Sequence, residues 1–342
     1  MRLPRRHILA GAAALLAAPT VSRAQARTDV RFSLDFAFGG PQSIWTLAAE
    51  RGYFAAEGLN LQIDRGGGSG DAVQRAAGGA YDVAWADINV MIRFNGANPT
   101  NTLQSFFVTY DAAPHAVVVL KGRGVERPKD LEGKRIAAPE FDAGRQLFPL
   151  FAKHTNVELA RVEMLNIDIR LREATVVRND AVGATGFITS VYWNLVGAGA
   201  READIHSMMY SDFGVDIYGS AAFAKPDYLR RNPHVPRGIT KAISRAMRDA
   251  IQDPAAAVAT AARRDPTMNT QIELNRLLMT NRMLVRTAHT AANGVSSVIP
   301  ARMDRAIKAV SEVYNQAAPA LETCYTDAYL PPAAERMLPP AA

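Results

Sequence analysis

Ser33-Leu34-Asp35-Phe36, followed by Ala48-Ala49-Glu50-Arg51-Gly52-Tyr53-Phe54 and Glu57-Gly58-Leu59, is the stretch on which the fold reading turns. Residues 30–34 read as a strand that gives way to a loop at Asp35. Pro41 sits where a helix tolerates a missing N–H, so a helix is expected over 42–51. A second short helix over 53–57 stops at Gly58. Residues 59–64 then return to strand. Strand, loop, helix, strand is the opening of an α/β unit.

The same alternation continues outward. Strands are expected at 81–85, 103–109, 116–120, 135–138, 162–165, 182–185, 205–209 and 219–224. Helices are expected at 71–77, 88–94, 145–154, 170–178 and 187–195. Beyond Pro226 the chain reads as mostly helical. There Ile239, Ile243, Met247 and Ile251 recur at helical spacing, and further helices are expected at 254–262, 272–283 and 300–314. The Pro/Ala-rich tail from Tyr329 is expected to dock loosely or fray. Residues 181–200 carry no charge, but Gly183, Gly186, Gly197 and Gly199 argue for a buried strand, a tight turn and a short helix rather than a membrane span.

A chain of 342 residues exceeds one typical core. A β-rich middle between a mixed start and a helical end suggests a discontinuous layout. One lobe takes 27–115 plus 215–342 and the other takes 116–214. The chain then crosses twice, near 111–115 and 211–218, and two crossings make a hinge. Residues 1–26 read as an export signal, with Arg5-Arg6, an uncharged run from Ile8 to Ala18, and Ala24-Gln25-Ala26 at the cleavage position. The arginine pair fits a twin-arginine signal, and an ordinary secretory signal fits as well. Cleavage near Ala26 would leave 35 basic against 33 acidic residues, a net charge of +2 instead of +6. No block of like charge is left to bind nucleic acid. The single cysteine, Cys324, allows no intrachain disulfide. The six histidines are scattered, with no metal-ligand spacing, so neither a metal nor a cofactor is expected. The glycine run at 66–70 matches neither a phosphate loop nor a nucleophile elbow.

Taken in order, four blocks carry a resemblance. They are the opening stretch; Gly66-Gly67-Gly68-Ser69-Gly70-Asp71 with Asp82-Val83-Ala84; Asp180-Ala181 with Gly186-Phe187; and 213–219 with Asn232-Pro233 and 253–257. With these, the chain resembles the type II periplasmic solute-binding proteins of ABC importers, in the branch of sulfonate, taurine, nitrate and thiamine-pyrimidine-precursor binders. The resemblance implies a two-lobed α/β fold with two hinge crossings. It also implies a monomer in the periplasm that captures a small molecule and hands it to an inner-membrane permease with its ATPase. Thiamine-pyrimidine synthases look similar over the same fold but carry a cysteine-rich motif that this chain lacks. A ligand-binding sensory module is a third reading.

Ligands of open α/β sheets bind beyond the C-terminal ends of strands. Loops expected there nominate Asp35, Phe36, Phe38, Ser69, Trp85, Asp87, Phe141, Arg145, Phe187 and Tyr210. Ser69 can donate to an acid group or cap its helix. Arg145, a cation at a helix start, suits a ligand carboxylate or a solvated surface. The aromatic residues suit a planar ring or the lobe core. Asp35 and Asp87 can accept from ligand amino or hydroxyl groups, or cap the segments after them. Ile188 after Phe187 departs from the pyrimidine-precursor pattern, so the expected ligand is a planar aromatic or heterocyclic molecule, or one bearing a sulfonate or carboxylate.

Overall fold

The computed structural model describes residues 27–340; the expected export signal at 1–26 lies outside them. The first half contains β1 (Thr28–Ser33), α1 (Ser43–Glu50), α2 (Tyr53–Ala56), β2 (Leu59–Asp64), α3 (Ser69–Ala77), β3 (Val83–Asp87), α4 (Ile88–Ala97) and β4 (Gln104–Val108). After the first crossing come β5 (His115–Leu120), β6 (Arg135–Ala137), α5 (Ala143–Thr155), β7 (Glu163–Leu165), α6 (Arg172–Val177), β8 (Gly183–Phe187), α7 (Ile188–Gly197) and β9 (Ile205–Met209). The return brings β10 (Ser220–Ala224), then α8 (Pro226–Arg231), α9 (His234–Gln252), α10 (Pro254–Arg264), α11 (Thr270–Thr280), α12 (Ala288–Asn293) and α13 (Pro300–Val313).

Two five-stranded sheets result, ordered β2-β1-β3-β10-β4 and β7-β6-β8-β5-β9. Both follow one plan. Four strands run in one direction, and the strand that arrives directly after a crossing lies antiparallel between the third and the last: β10 between β3 and β4, and β5 between β8 and β9. Strand alternation sorts the side chains of β3. Val83 and Trp85 face the core beneath α1 and α9, while Ala84 and Ala86 face α3 and α4. Trp45 anchors the first of these cores, fully buried with its ring 4.3 Å from that of Phe32. Burying each such side chain contributes about 2–3 kcal/mol.

The crossings run between β4 and β5 and between β9 and β10. They are tied to each other, with Gly219 N–H donating to Tyr110 O at 3.0 Å. Arg302 of α13 holds both. Its Nη1 donates to Asp111 O at 2.9 Å, its Nη2 to Ile217 O at 3.0 Å, and its Nε to Asp216 Oδ1 at 2.7 Å.

The uncharged stretch 181–200 folds as β8 and α7, and among the described residues no helix is long and apolar enough to cross a membrane. The tail differs from expectation, being pinned instead of frayed. Tyr329 O accepts from Thr240 Oγ1 at 2.7 Å. The buried Arg336 guanidinium donates to Pro331 O at 3.0 Å and Ser297 Oγ at 2.9 Å. A polar anchor did what the Pro/Ala composition gave no sign of.

Candidate ligand-binding cleft

The two sheets meet with their strand ends facing one another. The segment after β1 brings Asp35 and Phe36, and the glycine loop after β2 brings Gly68 and Ser69. The second sheet supplies Asp142 and Ala143 after β6, Ile169 and Arg172 after β7, Phe187 at the end of β8, and Ser190 in α7. Together they line a cavity of about 30 Å³, too small for an organic solute. Phe36 and Ile169 also border a wider groove of about 640 Å³, with Arg65 and Arg170 on its rim. That groove is the mouth of the cleft.

The lobes touch along a polar seam. Gly70 N–H donates to Phe141 O at 3.0 Å, and Arg93 Nη1 donates to Gln146 Oε1 at 2.8 Å. Gly68 is required here, because at φ +126° a Cβ would lie 2.6 Å from Phe141 O.

Arg172, the first residue of α6, is the buried cation of the site, with 1% of its surface exposed. Its Nη1 lies 3.0 Å from Asp142 Oδ2, and its Nε donates to Glu173 Oε1 at 2.8 Å. Burial opposes its charge, yet Glu173 and Asp142 outweigh burial and hold its pKa above the ordinary value. Asp142 also caps α5, accepting from Arg145 N–H at 3.0 Å, and takes the Thr185 hydroxyl at 3.2 Å. The network reaches the first lobe. Asn194 donates to Glu173 at 3.2 Å and accepts from Arg276 of α11, and Glu273 accepts from Gly40 N–H at 2.7 Å.

Asp35 stands apart from this network. It is 4% exposed, and its Oδ1 accepts from Gln42 Nε2 at 3.0 Å. Among the described residues none of the ion pairs includes it. Burial raises its pKa to about 7 against the Gln42 hydrogen bond, and nearby Asp87 adds to the rise.

Of the nominated residues, Asp35, Phe36, Ser69 and Phe187 line the cavity together. Ser69 Oγ accepts from Asp87 N–H at 3.2 Å. Asp87 lies behind the cavity wall, capping α4 through Asn89 N–H and Val90 N–H, with His115 Nε2 at 3.0 Å from its Oδ2. Trp85 is fully buried on the far face of β3, where its Nε1 donates to Thr109 Oγ1 at 2.9 Å. Tyr210 is equally buried, stacked 4.5 Å from Phe151 with its hydroxyl on Gly144 O. Phe38 packs against the first lobe's core. Phe141 lines the cleft mouth and also, with Arg145, borders a separate groove on the other side of the seam, where Arg145 Nη1 donates to Ala138 O at 2.6 Å.

Sequence reasoning missed Asp142, Arg172 and Ser190. The argument applied to Arg145, a cation opening a helix and in need of a partner, did not reach Arg172, because the helix was expected from 170 and α6 begins at Arg172.

The family model described as NMT1/THI5 like matches residues 43–257. The chain belongs to that family. No curated protein matches the sequence. Among solved structures, it is similar to the alkanesulfonate-binding protein SsuA from Xanthomonas axonopodis pv. citri bound to MOPS, at 13% identity and a TM-score of 0.68, covering 88% of this chain and 99% of that one. The periplasmic aliphatic sulphonate binding protein SsuA from Escherichia coli aligns at 12% identity and a TM-score of 0.65, over 86% and 95% of the two chains. The periplasmic nitrate-binding protein NrtA from Synechocystis PCC 6803 aligns at 11% identity and a TM-score of 0.58, over 73% and 70%. At such identities the likeness speaks for the fold, that of periplasmic binding proteins.

Proposed function

We propose that this NMT1/THI5-like chain is the substrate-binding component of an ABC importer. It works in the periplasm as a monomer, captures one small organic solute between its lobes and presents the closed form to a permease and its ATPase. The lobes, divided as the sequence suggests, move as bodies about the two crossings. The observation that carries this reading is the cavity, which draws side chains from the strand ends of both sheets. A ligand site of ordinary size needs about 300–1,000 Å³, so the solute enters with the lobes apart and is enclosed as they meet. Similarity to proteins named for sulfonate and nitrate binding supports the role.

An enzyme on the same fold would need a reactive group at the cavity. The one cysteine, Cys324, does not line the cavity, and burial pushes its thiol up to about 12, which favours the inert thiol. The test is a thermal-shift screen against sulfonates, aromatic acids, amines, pyrimidines and flavins. Ligand at ~100 times its Kd should add ~2.7 kcal/mol of stability. A shift with one chemical class, the compound recovered unchanged, supports capture; recovery of a converted product supports an enzyme instead.

A further inference from the structure

The charge at the cavity differs from what an oxyanion needs. Arg172, its buried cation, is already met by two carboxylates, Asp142 at 3.0 Å and Glu173 at 2.7 Å. Three of the helix starts that border the cavity each have at least one N–H partnered from within the chain. The α5 start is capped by the Asp142 carboxylate, Gly70 N–H of α3 is bonded to Phe141 O, and Ile188 N–H of α7 is bonded to Pro114 O at 2.7 Å. What is left over is Asp35, a buried carboxyl on the cavity wall that has the Gln42 amide and the backbone N–H groups of residues 35 and 36 as donors but no cation. An ionised carboxylate so deep in the fold calls for a counter-charge or further donors. Phe36 and Phe187 also line the cavity, and their faces suit a flat or cationic group.

We propose that the buried end of the ligand is a nitrogen group that donates hydrogen bonds to Asp35, as a protonated amine, an amidine or an amino-substituted ring does, and that carboxylates and sulfonates are excluded there. This rests on the capture reading above and narrows it to one substrate class. Asp35 of the ligand-free protein is only partly ionised near neutrality. A cationic ligand binds the ionised form, so its affinity rises as pH rises through about 7. An anion binds the protonated form, so its affinity falls over the same range. The other charged or titratable groups around Asp35 are Asp87 with its partner His115, Tyr110, and Asp142 with Arg172 on the facing lobe.

The test is calorimetric titration with benzamidine and benzylamine against benzoate and benzenesulfonate, at pH 6 and pH 8, on the wild type and Asp35→Asn. The first pair stays cationic over this range and the second stays anionic. The expected result is binding of the cations alone, about tenfold tighter at pH 8 than at pH 6. Asp35→Asn should weaken that binding at least tenfold and remove the Asp35 part of the pH dependence. Tighter binding of benzoate or benzenesulfonate, improved in Asp35→Asn, would overturn the proposal while leaving capture in the cleft intact. Binding of neither pair would also overturn it, and the capture reading would then be judged on the broader thermal-shift panel.

Discussion

Asp35 and Arg172 reach the same cavity from opposite lobes with opposite histories. Asp35 gives up solvent for the Gln42 amide and the backbone N–H groups of residues 35 and 36. A carboxyl whose folded pKa is about 7 binds its proton more tightly folded than unfolded. Its contribution is therefore fully present below the unfolded value near 4 and is lost as pH rises through about 7. Asp35→Asn should remove that loss, leaving the variant more stable than wild type at pH 8 and close to it at pH 4, as read from urea midpoints. Arg172 is the reverse case, a cation bought out of water by two acids. Arg172→Met strands Asp142 and Glu173 and should cost about 3–5 kcal/mol in chemical denaturation. Asp35 was legible in the sequence because it directly follows a strand. Arg172 was not, because its partner Asp142 lies on a different loop and the pairing exists only once β6 and β7 are side by side.

At the scale of elements, most of the strand and helix pattern could be read locally, since periods of two and 3.6 need no knowledge of the rest of the chain. Which face a strand turns to the cleft could not. Trp85 ends the strand expected over 81–85, but β3 runs on to Asp87 and its pleat turns Trp85 toward α1 and α9. The second lobe depends on one close approach of elements. Gly186, at φ +155°, leaves no room for a Cβ, which would lie 2.6 Å from Val191 Cγ2 and 2.7 Å from Arg172 Nη1. Gly186→Ala should therefore lower the denaturation midpoint through the second lobe. Gly68→Ala acts at the seam instead, where its Cβ meets the backbone of the facing lobe. It should weaken ligand binding about tenfold, equivalent to ~1.4 kcal/mol, in a titration that compares the two variants.

For the whole molecule, the two sheets share one strand plan, and the chain passes between them at paired crossings held by Arg302. The crossings were suggested by the order of strand-rich and helix-rich segments, whereas Arg302 lay unmarked in a C-terminal helix more than 80 residues from either partner segment. The lobes meet so closely that the cavity has about 30 Å³, and the capture reading therefore expects a second, separated arrangement through which the solute reaches it. The direct measurement is the distance between spin labels at Arg65→Cys and Arg170→Cys, on the rim of the cleft mouth, with Cys324→Ser removing the native thiol. It is taken on ligand-free protein and again with benzamidine, or with whichever compound the thermal screen selects. The account predicts a separated population in the ligand-free protein that shifts to one short distance on binding. A single short distance, the same with and without ligand, would contradict it.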